Sequence, residues 1–311
     1  MMVIGVCFAW GFWAHQRINR LAIFTLPPEM IGFYKENIEF ITQHAVDPDK
    51  RRYSDPAEAP RHYIDLDSYD KAPFDSVPRH WDDAVAKYSI DTLNRHGIVP
   101  WYINLMLYKL TEAFKQKSKW KILYYSADIG HYIADAHVPL HCTHNYNGQF
   151  TDQTGIHGFW ESRVPELYGD QYDYFVGKAT YIDKPLDYIW KTVLLSASEV
   201  DSVLSFEKQL TTTFPSDQKF TYEQRGQTMV RTYSVDFSAA YQKMLNGMQE
   251  RKMRDAIISV GSFWYTAWVN AGQPDLSSLS NAAPTAEEQL EIDNMEQQWR
   301  NGKIIGRDES Q

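Results

Sequence analysis

Residues 122–141 read Ile122-Leu-Tyr-Tyr-Ser-Ala-Asp-Ile-Gly-His131-Tyr-Ile-Ala-Asp135-Ala-His137-Val-Pro-Leu-His141. The stretch is apolar and is stopped by Pro139, which predicts the end of a helix. His131 and Asp135 are four residues apart, so on a helix they share one face, one turn apart. Farther on, His157-x3-Glu161 repeats the spacing. An imidazole and a carboxylate that converge in this way can grip one zinc ion or supply two neighbouring ions. Pairs of this kind also occur as solvated ion pairs on helix surfaces. A solvated face normally mixes both charge signs, yet no Lys or Arg falls between Lys121 and Arg163. Histidine and aspartate set in an apolar helix are costly unless bonded to something, so the spacing points to metal.

Outward from this segment the punctuation predicts helices joined by loops. Ile18, Leu21, Ala22 and Thr25 carry helical spacing over 15–25. Pro27 and Pro28 precede a second helix through Met30, Phe33, Ile38 and Ile41. Asp47–Pro60 reads as a loop, and 81–96 as a helix ended by Gly97. Two helices fit 101–138, broken near Lys115–Lys119, and further helices fit 157–167, 185–213, 221–249 and 250–270. No region alternates with period two long enough for a sheet, so the fold class is all-α. The domain reading is a short apolar segment at 1–9, one helical catalytic domain at 10–275 and a polar extension at 276–311.

The chain has 311 residues, enough for a sizeable core. Its formal charge is −9, which argues against a generic nucleic-acid coat, because such coats work through surface cations. No stretch reaches the roughly 18–20 apolar residues of a membrane span. The first nine residues resemble the tail of a secretory signal with a cleavage site at Cys7-Phe8-Ala9, giving the expectation of a secreted or periplasmic protein. Cleavage there would leave Cys142 alone, without an intrachain disulfide.

Trp10-x4-His15 follows that site. A free amine at Trp10 is a sound zinc ligand, with its carbonyl completing a chelate and His15 reaching the same ion. Alternatively Trp10 and Trp13 are core aromatics and His15 is an ordinary polar residue of the first turn. A third group is Asp47-Pro-Asp49-Lys50, followed by His62-Tyr63-Ile64-Asp65.

In this order the residues resemble the superfamily of zinc-dependent phospholipases C and single-strand-specific zinc nucleases. The resemblance runs from Trp10 to Glu161 and is most specific over Gly130–His141. It implies an all-α multi-helix bundle around a trinuclear zinc site. His131 and Asp135, with His62 and Asp47, would hold one ion. Asp135 would bridge to a second ion held by His15 and by the amine and carbonyl of Trp10. His141, His157 and Glu161 would hold the third. Asp47 is preferred to Asp49 because Lys50 then falls where the nucleases carry a basic residue near the phosphate. The resemblance implies catalytic roles for Asp47, Asp135, Lys50 and Asp65, the last orienting water or Lys50. Tyr63 would stack on a base, as an aromatic at this point does in the nucleases. His137 is expected to pack or to support a ligand, and His44, His80, His96 and His144 to be structural or exposed.

The implied activity is phosphodiester hydrolysis by hydroxide generated at zinc. Tyr63 and the Asp47-to-His62 step lean towards a nuclease acting on single-stranded nucleic acid. Glu161 closing the last site, and the lack of a disulfide once cleavage removes Cys7, favour the alternative, a phospholipase C acting on a phospholipid head group. The non-enzymatic rival is a zinc-binding structural protein, disfavoured because structural zinc is usually closed by four ligands rich in Cys. A carboxylate-bridged di-iron bundle is weaker still, since that class uses Glu-x-x-His pairs.

Overall fold

The computed structural model describes residues 11–226 and 228–279, with scattered positions from 283 to 294. The proposed signal remnant, Trp10 and most of the C-terminal extension lie outside the described residues. The described residues are all-α apart from one hairpin. At its centre runs the Lys119–Ala136 helix, buried along nearly its whole length from Ile122. The Val99–Lys115, Met248–Asn270 and Phe12–Ala22 helices surround it. The pattern follows from composition: a helix that is apolar on all sides is stable only when covered on all sides. Its C-terminal turn passes through His137 to Pro139, as the proline requires.

Aromatic groups lock the layers together. Tyr34 stacks on Trp264 with ring centroids 5.0 Å apart. Both reach Ser126 on the central helix: Tyr34 and Ser126 hydroxyls lie 2.8 Å apart, and Trp264 Nε1 donates to the Ser126 carbonyl at 2.9 Å. Polar tips paired in this way let large rings be buried without orphaned groups.

One glycine decides how the first helix approaches. A Cβ at Gly130 would lie 2.1 Å from Asn19 Oδ1. Its absence lets Asn19 Nδ2 donate to the Ala127 carbonyl at 2.9 Å. That crossing stacks the His15 ring on His131, with centroids 3.8 Å apart. The sequence feature next to the first ligand pair therefore brings the chain's first histidine to it.

Local structure departs from the expectations in several places. Asp47–Arg51 is a short helix inside the segment read as loop. The 81–96 helix is two, Trp81–Tyr88 and Ile90–His96, divided at Ser89, whose positive φ of 70° interrupts the ladder. The expected 185–213 helix divides at Glu199. The expected 221–249 helix begins instead with antiparallel strands Phe220–Arg225 and Thr228–Tyr233. Their β-branched and aromatic residues favour this, and Arg163 ties the hairpin down through Glu223 and the Tyr233 carbonyl. Among the described residues no helix is long and apolar enough to cross a membrane.

Candidate metal centre

Eight side chains from six parts of the chain converge. His131 and Asp135 come from the central helix and His15 from the first. Asp49 lies in the Asp47–Arg51 helix, and His62 follows the Ala59–Arg61 turn. His141 sits in the Pro139–Cys142 turn that succeeds the proline stop. His157 and Glu161 lie one turn apart, with Glu161 in a π-type turn, Phe159–Arg163. Such turns recur at functional sites because they re-aim one side chain within a helix. None of the eight is more than 2% exposed.

They fall into three groups, of which the first two share His131: His15, Asp49 and His131; His62, His131 and Asp135; and His141, His157 and Glu161. Asp135 joins them. Its Oδ1 lies 3.4 Å from His15 Nε2 and 3.8 Å from His141 Nδ1, and its Oδ2 lies 3.2 Å from His131 Nε2. In the third group Glu161 Oε2 is 3.1 Å from His157 Nε2 and 3.5 Å from His141 Nε2. Donors about 2.1 Å from one tetrahedral zinc lie about 3.4 Å from each other, and most of these separations match that spacing. Both oxygens of Asp49, both ring nitrogens of His15 and Oε2 of Glu161 are buried without a hydrogen-bond partner among the described residues. Orphaned donors of this type in a dry site fit zinc.

The rings are also held from behind. His131 Nδ1 meets the Ala45 carbonyl at 2.9 Å, His141 Nδ1 the His62 carbonyl at 2.7 Å and His157 Nδ1 the Tyr146 carbonyl at 3.1 Å. Each anchor fixes the Nδ1–H tautomer and turns Nε2 inward. His62 is reversed: Nδ1 faces Asp135 at 2.9 Å while Nε2 lies 3.4 Å from Glu58. Burial, opposed by the hydrogen bonds to Asp135 and Glu58, leaves the His62 imidazole raised to about 9. Burial and the neighbouring His15 push His131 down to about 3, so its lone pair is available. Burial pushes the Asp49 carboxyl up to about 7, against the pull of His15 and His62.

Two expected residues are placed differently. Asp47, preferred over Asp49, turns away: its carboxylate takes His44 Nδ1 at 2.5 Å and Lys50 Nζ at 3.1 Å. In so short a helix, residues two apart point to nearly opposite sides, and Asp49 takes the inward position. Tyr63 is not an open stacking platform. It is 6% exposed and packs on Gly97, where a Cβ would meet its ring at 2.5 Å. Asp65 lies with His96 and His144, both expected to be structural or exposed. His137 packs as expected, with Nδ1 on the Ile133 carbonyl at 2.7 Å and Nε2 near Ser259 Oγ at 3.3 Å.

Glu58 is the residue the sequence reading missed. It is wholly buried and receives Arg51, Arg61 and the Tyr132 hydroxyl, while Arg51 also pairs with Asp128 at 2.8 Å. Burial alone would raise the Glu58 carboxyl, but Arg51, His62 and Arg61 hold it well below the usual carboxylate range. A signal was present, since Glu58-x3-His62 repeats the carboxylate–imidazole spacing in reverse order.

The family model described as zinc dependent phospholipase C matches residues 14–218, a span that contains all eight converging side chains. No curated protein matches the chain.

Proposed function

Because the chain belongs to the zinc-dependent phospholipase C family and is therefore a zinc-dependent phosphodiester hydrolase, we propose that its substrate is a phospholipid, cleaved on the glycerol side of the head-group phosphate. The observation that carries this is the meeting of eight buried donors inside the segment that matches the family. In this proposal three zinc ions are held: one by His62, His131, Asp135 and Asp49, one by His15 and Asp135 with the chain's N-terminal segment, and one by His141, His157 and Glu161. Bound zinc supplies an acidified water and neutralises phosphate oxygens. Glu58 and the carbonyls of Ala45, His62 and Tyr146 keep the rings aimed while the charge of the phosphate changes. Lys50, partly exposed beside Asp47, offers a cation to the phosphate. The nuclease alternative loses one of its supports, since Tyr63 is enclosed.

The test incubates the full chain with phosphatidylcholine vesicles and, separately, with single-stranded DNA. Diacylglycerol and phosphocholine should appear, disappear with a chelator and return with added zinc. Chelator-sensitive cleavage of the DNA with the lipid left intact would replace this reading by the nuclease one.

A further inference from the structure

A second group of metal-type donors lies outside the buried centre. The Asp65 carboxylate is 4% exposed, and its Oδ2 stands 3.5 Å from His144 Nδ1 and 3.9 Å from His96 Nδ1. One ligand atom from each of the three lies within 4.8 Å of the others. The distances exceed hydrogen bonds and approach the roughly 3.4 Å edge expected around one tetrahedral zinc. His96 Nδ1 is buried without a hydrogen-bond partner among the described residues.

The backbone builds the geometry. Asp65 N donates to the His96 carbonyl at 2.7 Å, fixing the end of the Ile90–His96 helix against the turn that carries Asp65. Asp67 accepts from His144 N at 2.8 Å and from Thr143 Oγ1 at 2.7 Å, pinning the loop that carries His144 to the same turn. Phe150 stacks on the His144 ring with centroids 5.2 Å apart and restricts its rotation. Three segments far apart in sequence are thus held with their donors facing one point. The His144 side chain is 53% exposed, so solvent can fill remaining coordination positions.

We propose that Asp65, His96 and His144 bind one further divalent cation of zinc type, separate from the buried centre. Two imidazoles and a carboxylate suit zinc, whereas calcium and magnesium prefer oxygen alone. The ion would clamp the Asp65 turn, the end of the Ile90–His96 helix and the loop after His141. Because Ile64 N donates to the His141 carbonyl at 2.9 Å, the clamp braces the segment that carries a ligand of the centre.

The experiment titrates zinc into the chelator-treated full chain and counts equivalents. His144→Ala is the first variant, since an exposed ring can be removed without unfolding the protein; His96→Ala is the second. Each should weaken one equivalent by at least about 10- to 100-fold, the loss seen even for a group that only supports a ligand. Asp135→Asn should keep that equivalent while losing zinc from the buried centre, so the two sites are counted separately and failure of one leaves the other standing. Unchanged stoichiometry and affinity in His144→Ala would overturn the proposal, whatever His96→Ala shows.

Discussion

Two buried polar regions touch at His62 and solve the same problem differently. Around Glu58 and Asp128 the carboxylates meet guanidinium groups and a tyrosine hydroxyl, and the charges close on one another. Around Asp135 and Glu161 the carboxylates meet imidazoles, with donor atoms left unsatisfied among the described residues. Burying a charge is tolerable only when it is paired. The first region carries its own countercharge; the second is built to receive one from solution. The self-paired region thus stands behind His62 and helps to hold one of the ligands in place.

The contrast can be broken at its strongest point first. Asp135→Asn removes the carboxylate shared by the groups, and hydrolysis should fall by at least about 1,000-fold, several kcal/mol of lost transition-state stabilisation. Metal analysis should show at least one zinc equivalent gone. Full activity would mean that the joined centre is not the catalytic one. The paired region should respond in stability instead. Glu58→Gln leaves buried arginines short of a partner and should cost about 3 kcal/mol in urea unfolding. It should also weaken zinc about 10- to 100-fold by releasing His62 Nε2. A variant as stable as the parent would show that Arg51 and Arg61 are satisfied without Glu58.

A smaller, sharper test separates two neighbours. Asp49→Asn should lower zinc affinity, whereas Asp47→Asn should leave zinc stoichiometry unchanged and alter only the setting of His44 and Lys50. The reverse result would restore Asp47 as the ligand. The smallest effect concerns His137, buried neutral between the Ile133 carbonyl and Ser259. Burial pushes its imidazole down to about 3 from the ordinary 6.5. A histidine depressed in the folded state binds its proton more readily when unfolded. Its contribution is therefore intact above pH 6.5 and is lost as pH falls towards 3, by at most about 1.4 kcal/mol per pH unit. His137→Gln should flatten that acid slope in thermal melts of the chelator-treated protein. An unchanged slope would assign the acid sensitivity to other groups.

Much of this was legible because short-range chemistry is written in short spacings. His131-x3-Asp135 and His157-x3-Glu161 announce shared helix faces, and Pro139 marks where the chain turns to deliver His141. What stayed hidden depends on long-range packing. Arg51 finds Asp128 across 77 residues and Tyr132 finds Glu58 across 74, which no local pattern reveals. Choosing between Asp47 and Asp49 needed the orientation of a five-residue helix. His96 and His144 looked ordinary because Asp65, which they face, lies in a third segment. The 220–233 hairpin was missed because its strands are six residues each, too short to stand out from the helices around them.

The central claim is that the buried imidazoles and acids share zinc. Anomalous diffraction at the zinc edge, from crystals of the zinc-loaded protein, tests it most directly. Peaks should lie about 2.0–2.2 Å from His131 Nε2, Asp135, His157 Nε2 and Glu161. A map without zinc among these atoms, their rings and carboxylates hydrogen-bonded to one another instead, would contradict the account.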